Sequence, residues 1–299
     1  ITFGNFRGAG QTLKLSTQFS SDATLYQIEF KEPWLFDKPV ELSTKVFKSE
    51  RDYADYTKLS TGFSLGLSRR FMEYWKVGSS YTYRLDEIGD VSPNASYAVL
   101  ALPKESVISS ISPFLSRDTR DNFLNPHKGS KNVISFTYAG LGGDNYFVKT
   151  SLDSSWIFPV SRNTEFNMRG RYAIASGFDG HELPLYERYF VGGPYSVRGR
   201  RRLGPHDEFG NYIGGRQRLV FNFDYTFPLI KDAGLKGDMF FDTGTAFDDS
   251  DSLGMRESGG LGFKWITPIG PLMFFYAKNL DREEGEPDHR WEFAIGSLF

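Results

Sequence analysis

Strict alternation of apolar and polar residues is clearest in the stretch RQRLVFNFDYTF, at residues 216–227. Successive side chains of a β-strand point to opposite faces of the sheet, so this stretch predicts a strand with two different faces. One face is aromatic or aliphatic throughout: Leu219, Phe221, Phe223, Tyr225 and Phe227. The other face is polar except at one valine: Arg216, Arg218, Val220, Asn222, Asp224 and Thr226. Such a strand separates an apolar environment from a polar one.

The same period recurs along the whole chain, and helical spacing hardly appears. Tyr74–Asp86, Glu165–Ile174 and Asp238–Phe247 alternate in this way. About fourteen such stretches can be counted, starting near Gln11, Thr24, Val40, Tyr56, Tyr74, Ser106, Lys131, Tyr146, Thr164, Arg216, Gly237, Ser258, Pro271 and Arg290. An irregular segment between Tyr186 and Tyr212 has room for one or two more. Because bacterial single-chain barrels have even strand numbers, we expect roughly 14 or 16 strands.

The aromatic faces distinguish a soluble β-protein from a membrane barrel. Aromatic residues make up 16% of the chain, with Phe 28, Tyr 16 and Trp 5, and they recur on almost every predicted strand. A soluble barrel of about eight strands encloses too little volume to bury these rings. Rings facing lipid, with charges and glycines facing a wet lumen, fit all the stretches. We therefore predict an all-β, transmembrane antiparallel β-barrel that forms one domain over residues 1–299, with a soluble β-protein as the alternative.

The composition excludes several other classes of protein. No window has the roughly 18 consecutive apolar residues that a membrane helix needs, and a chain so rich in aromatic residues is not disordered. Lys+Arg 35 and Asp+Glu 37 give a net charge of −2, whereas nucleic-acid-binding proteins usually have a basic excess. We therefore expect no nucleic acid among the partners. With Cys 0, neither disulfides nor a Cys-ligated metal stabilise the fold.

A search for catalytic patterns finds one candidate, and its context argues against it. Residues 62–66 read GFSLG and match the G-x-S-x-G pattern of serine hydrolases, which requires a strand-to-helix turn. Here the pattern lies inside the alternating stretch Tyr56–Leu67. The histidines fall in predicted turns without metal-ligand spacing: His127, His181, His206 and His289. We expect no catalytic residue, no metal site and no cofactor, and hence a protein that is not an enzyme.

The segment YFVGGPYSVRGRRR, at residues 189–202, places four arginines beside several glycines. A solvated loop tip is one interpretation. The alternative is a loop that folds into the lumen, where an arginine is costly unless carboxylates meet its planar guanidinium group. Asp224 and Asp242 lie on adjacent predicted strands, and both are predicted to face inward. A loop arginine held by these two carboxylates would keep the loop inside the barrel.

Several segments along nearly the whole chain resemble the outer-membrane insertase and two-partner secretion superfamily, and within it the barrel domain of the BamA family. Val197-Arg198-Gly199, preceded by two glycines at 192–193, is similar to the V-R-G-F/Y loop motif of this superfamily. The other matching segments are Phe241–Gly244 (its F-x-D-x-G strand), Phe221–Asp224, Arg117–Asp121 with Pro126 and Gly129, and Thr267–Leu272 with Phe274 and Tyr276. The sequence departs from the motif at Arg200, where an aromatic residue is usual.

The resemblance implies a 16-stranded barrel whose long sixth outer loop returns into the lumen. It implies Val197, Arg198 and Gly199 as the loop motif, with Asp224 and Asp242 as the carboxylate partners of Arg198. It also implies periplasmic POTRA domains before the barrel. The sequence contains none, so we expect the chain to be truncated at the start of the barrel.

The implied function is to catalyse the folding and insertion of other β-barrel proteins in the Gram-negative outer membrane. A barrel abolishes its edges only where the first and last strands pair fully. We predict a weak seam at Gly8, Gly10, Leu13 and Leu15 of the first strand and Phe293, Ile295, Gly296 and Phe299 of the last. A substrate strand would add to the exposed backbone by β-augmentation. A fully closed seam is the alternative, because glycines occur in many barrels.

The implied partners are unfolded outer-membrane β-barrel substrates, outer-membrane lipids and lipopolysaccharide. Accessory lipoproteins of the BAM complex are expected to bind through the missing POTRA domains. Two other functions stay open. A two-partner secretion pore of the same superfamily would normally have an N-terminal plug helix, which this sequence does not contain. A passive porin, the less favoured option, would lack the arginine–carboxylate clamp.

Overall fold

In the residues that it describes, the computed structural model has fifteen β-strands in one antiparallel sheet. It describes residues 2–6, 8, 10–19, 23–53, 55–123, 125–230, 232–248, 253–267, 270–283 and 285–295. The strands are β1 Thr2–Phe6, β2 Gln11–Phe19, β3 Ala23–Glu32, β4 Glu41–Asp52, β5 Thr57–Arg70, β6 Trp75–Gly89, β7 Glu105–Asp118, β8 Gly129–Ala139, β9 Phe147–Ser161, β10 Thr164–Gly177, β11 Gln217–Ile230, β12 Leu235–Phe247, β13 Arg256–Thr267, β14 Gly270–Asn279 and β15 His289–Ile295. The connections contain a short helix, α1 (Tyr97–Leu100), and 3-10 turns at Leu35–Asp37 and Leu185–Glu187. No helix in the described ranges has the length and apolar character needed to cross a membrane.

Each strand pairs with its neighbours in sequence, so the hydrogen-bonded order runs from β1 to β15. The predicted strand starts lie within two residues of the observed starts of β2–β15. The additional strand is β1, which pairs with β2. The segment at 186–212, which is described throughout, forms isolated bridges such as Val191 with Leu203 rather than further strands. The prediction of an all-β antiparallel fold is confirmed.

The two ends of the sheet are not joined by a ladder between described residues. In an antiparallel meander of fifteen strands, β1 and β15 run in the same direction. One further strand between them would restore antiparallel pairing on both sides. Closure of the barrel and a count of sixteen strands therefore stay predictions.

The two faces of the sheet have the chemistry that the alternation predicts. Large apolar side chains are exposed on one face, among them Leu152, Trp156, Phe158, Tyr172, Phe221, Tyr225, Phe263 and Trp265. The other face carries fully buried polar residues, including Asn222, Asp224 and Asp242 on β11 and β12. This distribution is the reverse of that in a soluble protein, where apolar side chains are buried, and it suits a sheet surrounded by lipid.

The connection between β10 and β11, residues 178–216 and here named the inner loop, packs against the polar face of the sheet. Five buried residues of this loop and of β11–β12 form one cluster: Val191, Val197, Leu203, Val220 and Ala246. Tyr186 of the same loop packs in a second cluster with Ile108 of β7 and Phe147 of β9. Because one loop contacts strands that lie far apart in the sheet order, the sheet curves around it. The predicted long loop on the inside of the sheet is confirmed.

Candidate functional site

Val197 and Gly199 fix the backbone on either side of Arg198. Val197 is fully buried, and a Cβ at Gly244 of β12 would lie only 3.0 Å from its Cγ2 atom, so glycine at 244 makes room for it. Gly199 has a φ of +84°, a conformation that favours glycine, and a Cβ there would lie 2.8 Å from the Cβ of Ala277. Glycine at 199 and at 244 therefore lets the loop approach the sheet closely enough for Arg198 to reach it.

Arg198 is completely buried, at 0% exposure, and its side chain binds the two carboxylates named from the sequence. Its Nε donates to Asp242 Oδ2 at 2.7 Å and its Nη2 to Asp242 Oδ1 at 2.7 Å, so Asp242 is bound in a bidentate manner. Nη2 also donates to Asp224 Oδ1 at 2.5 Å. The backbone N–H of Arg198 donates to Asp242 Oδ2 at 2.9 Å, which attaches the loop backbone itself to β12.

Two further charged residues complete this site, and sequence reasoning missed both. Arg198 Nη1 donates to Asp238 Oδ2 at 3.3 Å, and Lys264 Nζ lies 2.7 Å from Asp224 Oδ2 and 3.1 Å from Asp238 Oδ1. The alternation of side chains along each strand, in which every second residue faces the same side of the sheet, could have predicted both residues. Asp238 precedes Asp242 by four residues on the same strand, so the two share a face, and Lys264 lies opposite Lys236 in the β12–β13 register.

Two aromatic rings cover the guanidinium group of Arg198. Its Cζ lies 3.7 Å from the ring centroid of Phe240 and 4.7 Å from that of Phe275. The two rings are nearly perpendicular, with an interplanar angle of 78°. A cation over an aromatic face is attracted by the ring quadrupole, and the rings also exclude water from the ion pairs. The site is therefore a clamp shielded from water, in which three carboxylates depend on Arg198 and Lys264 for compensation of their charge.

A second group of ion pairs holds the other end of the inner loop to the opposite part of the sheet. Glu187, in the 3-10 turn, accepts a hydrogen bond from Lys149 Nζ of β9 at 2.5 Å and pairs with Arg84 of β6. Arg84 also binds Asp86, through Nε to Oδ2 at 3.0 Å. Tyr186 adds a hydroxyl–hydroxyl hydrogen bond of 2.7 Å to Ser106 of β7. The loop is thus attached to β6–β9 at one end and to β11–β13 at the other.

A sequence model described as the Omp85 superfamily domain matches residues 5–299, almost the whole chain. The chain belongs to the Omp85 superfamily. It is 28% identical over 308 residues to "Outer membrane protein assembly factor BamA" of Nitratidesulfovibrio vulgaris, a match that covers 99% of this chain and 39% of that protein. This Omp85 chain spans less than half the length of the curated relatives it matches.

Solved structures of other proteins show the same fold. BamA from Haemophilus ducreyi lacking POTRA domains 1–3 superposes with a TM-score of 0.84 at 22% identity, covering 98% of this chain and 65% of that one. CdiB from Escherichia coli superposes with a TM-score of 0.70 at 16% identity, covering 98% and 58%. The predicted resemblance to the barrel domain of BamA is confirmed, and the protein is located in the bacterial outer membrane.

The predicted seam of this Omp85 domain needs correction on its N-terminal side. The first strand is Thr2–Phe6, because Gly8 and Gly10 form the turn after it, both with positive φ. Leu13 belongs to β2 and is paired on both sides, with Phe3 of β1 and Phe30 of β3. Leu15 is likewise in β2, opposite Ile28. The glycines interrupt the extended backbone, so the structure has a turn at the positions that were predicted to start the first strand.

On the C-terminal side, the prediction agrees with the strand assignment as far as the described residues extend. Phe293 and Ile295 lie on β15 and point outward, with 57% and 58% exposure. Gly296 and Phe299 lie outside the described residues. A cavity of about 1180 Å³ lies between the inner loop, β15 and the ends of β3 and β4 that face the loop. The last strand of this Omp85 domain thus borders this cavity as well as the membrane.

Proposed function

We propose that this Omp85 domain is the membrane-embedded part of an outer-membrane assembly factor, which folds and inserts β-barrel proteins into the bacterial outer membrane. The observation that carries the proposal is the match of 99% of the chain to a relative named as an assembly factor. We infer that unfolded outer-membrane barrel proteins are the substrates. Outer-membrane lipids, lipopolysaccharide and accessory BAM lipoproteins, the last bound through POTRA domains, are the further proposed partners.

The geometry of the last strand supports a mechanism for this function. Strand β15 is hydrogen-bonded to β14 on one side, and the described residues show no ladder on its other side. Unpaired backbone N–H and C=O groups are a template for another strand, which adds by β-augmentation. In this mechanism a substrate strand pairs with β15 and enters the membrane already hydrogen-bonded. The work is non-covalent, so we propose that the protein acts without cofactor, metal or catalytic side chain and is not an enzyme.

The likeness to CdiB, with a TM-score of 0.70, favours polypeptide secretion as the second candidate function. A secretion pore passes its substrate through the space inside the sheet, whereas an assembly factor uses the strand edge. The inner loop fills part of that space and is attached at both ends, which supports the assembly function over secretion. A passive porin is disfavoured for the same reason.

Site-specific disulfide trapping tests the proposal in the full-length protein, with every other cysteine replaced. Phe293→Cys places a thiol on the outward face of β15, and the matched control Phe263→Cys places one on β13, which is also outward but paired on both sides. A urea-unfolded barrel substrate with one cysteine in its terminal strand is added during assembly into liposomes. We expect disulfides at 293 and not at 263. Equal trapping at both positions, or transport of a polypeptide without trapping at 293, would contradict the proposal.

A further inference from the structure

The inner loop contacts a second part of the sheet besides the Arg198 site. Arg200 is 2% exposed, and its Nη1 donates to Glu286 Oε2 at 2.5 Å. Its Nη2 donates to the backbone O of Glu257 at 3.0 Å and also binds Asp281. Asp281 and Glu286 lie in the turn between β14 and β15, at 280–288, of which residue 284 is outside the described residues. We call β14, this turn and β15 the terminal hairpin.

Arg256 of β13 binds the same carboxylates from the other side. Its Nε donates to Asp281 Oδ2 at 2.9 Å and its Nη2 to Glu286 Oε2 at 2.8 Å. Its Nη1 donates to Glu283 Oε1 at 2.5 Å. Asp281 and Glu286 are therefore shared between two guanidinium groups, one on the inner loop and one on the sheet. Because a planar guanidinium group can bind two carboxylates at once and a lysine is a single point charge, the arrangement needs arginine at 200.

Other residues of the same loop stretch contact the terminal hairpin directly. The Tyr195 hydroxyl donates to the backbone O of Ile295 on β15 at 2.5 Å. Gly199 lies close to Ala277 of β14, as described above. The loop stretch at 195–200 thus contacts both strands of the terminal hairpin and the turn that joins them.

We propose that Arg200 is a positioning residue that attaches the terminal hairpin to the inner loop and thereby restricts the movement of β15. Arg198 fixes the loop on β11 and β12, so the loop can hold the hairpin relative to the middle of the sheet. The inference deepens the proposed function and rests on it in one respect, namely that β15 is the strand to which a substrate adds. The attachment itself is measurable without any substrate.

Amide hydrogen exchange of the full-length protein in liposomes tests the attachment. We compare Arg200→Ala and Arg200→Lys with the neighbouring exposed control Arg201→Ala. Loss of hydrogen bonds to charged groups should speed exchange across 280–295 by about tenfold in Arg200→Ala, with a smaller change in Arg200→Lys. Exchange in β6–β7 should not change. Unchanged exchange at 280–295, or an equal increase throughout the sheet, would overturn the proposal.

A second measurement separates positioning from simple stabilisation. In Phe293→Cys protein, Arg200→Ala should accelerate disulfide trapping of the substrate strand, because β15 is freer to pair, and Arg200→Lys should restore part of the original rate. Glu286→Gln removes one shared carboxylate without touching the loop and should act in the same direction. If trapping keeps its rate while exchange rises, Arg200 does not control β15 and the proposal fails. If wild-type protein traps no substrate, the proposed function fails, and the exchange result still decides whether Arg200 attaches the hairpin.

Discussion

Arg198 lies in a largely buried group of charges that nearly balance. Two cations, Arg198 and Lys264, meet three carboxylates: Asp224, Asp238 and Asp242. Arg198 and the three carboxylates have lost their hydration, so removing one member leaves another without compensation, and this loss outweighs the net value of any single pair. Removing one cation and one carboxylate together preserves the balance. The members of the group should therefore behave as a coupled set.

Lys264→Met and Asp238→Asn test this coupling. Lys264→Met alone leaves three carboxylates around one cation, and we expect it to lower the free energy of unfolding by about 3–5 kcal/mol. The double variant should lose less than the sum of the single variants by about 1–3 kcal/mol. Urea-unfolding midpoints of the four proteins in detergent micelles give both quantities. Strictly additive losses would show that Lys264 and Asp238 act independently.

Glu286 gives the terminal hairpin a dependence on pH. Burial raises the pKa of Glu286, but the backbone N–H of Glu283 and the guanidinium groups of Arg200 and Arg256 hold this pKa below its usual range. Asp281 also faces it. A carboxyl whose pKa is lower in the folded state stabilises the fold fully above the unfolded pKa, about 4.3 for Glu. This contribution is lost as the pH falls below that value towards the folded pKa.

The fluorescence anisotropy of a dye on Asp288→Cys reports this loss, since Asp288 lies in the same turn and is half exposed. We expect the anisotropy of the otherwise wild-type protein to fall only as the pH is lowered below about 4.3. Glu286→Gln should start lower and change less over that range. Identical titration curves for the two proteins would show that Glu286 does not hold the turn.

At the level of strands, the sequence predicted what local alternation determines. Strands β2–β15 and their apolar outer faces follow from side chains that alternate with a period of two. Strand β1 was missed because it is short and lies beside three glycines, which alternation cannot place. The contacts of Arg198 with Asp224 and Asp242 were expected because both acids share the inward parity and lie in recognised motifs.

The contacts of Arg200 could not be predicted in the same way. They join an irregular loop to a turn more than 80 residues later, and neither segment has a periodic pattern. The same holds for Glu187, whose partners Arg84 and Lys149 lie on two different strands of the opposite part of the sheet. Such pairs depend on how the sheet curves, which no local stretch of sequence encodes.

Gly199 of the loop lies close to Ala277 of the terminal hairpin, so its substitution should separate the two. Gly199→Ala adds a Cβ 2.8 Å from that of Ala277 and strains a backbone with φ of +84°. We expect a loss of stability of about 1–2 kcal/mol from the conformation alone, with a further loss from the clash. In the double variant, Ala277→Gly should restore the stability lost to the clash but not the stability lost to the strained backbone. Thermal unfolding of the single and double variants measures both, and a full recovery would contradict this division.

For the whole molecule, the inner loop is a link between two parts of the sheet that are not neighbours. Glu187 is bound to β6 and β9, and Arg198, only eleven residues later, to β11 and β12. A loop attached at one end could move aside, whereas a loop attached at both ends crosses the enclosed space. The two attachments together should therefore limit passage through the interior.

Ion conductance in planar bilayers tests this arrangement. Glu187→Gln and Arg198→Ala should each raise the conductance moderately, and the double variant should raise it by more than the sum, because only then is the loop free at both ends. Arg202→Ala, an exposed neighbour, serves as the control. A wild-type protein that already conducts steadily at the level of the double variant would support the porin alternative instead.

The order of the strands also determines when these attachments can form. Every ladder between described residues joins strands adjacent in sequence, so hairpins can form one after another with short loop closures. The ion pairs of Glu187 and Arg200 span 103 and 86 residues. They can form only after the strands that carry or flank their partners have paired. We therefore expect the sheet to assemble first and the loop to dock last, as a separate slow phase of refolding. In that interval the strands are already paired, but the inner loop does not yet occupy the space inside the sheet, so the interior is open to water and ions.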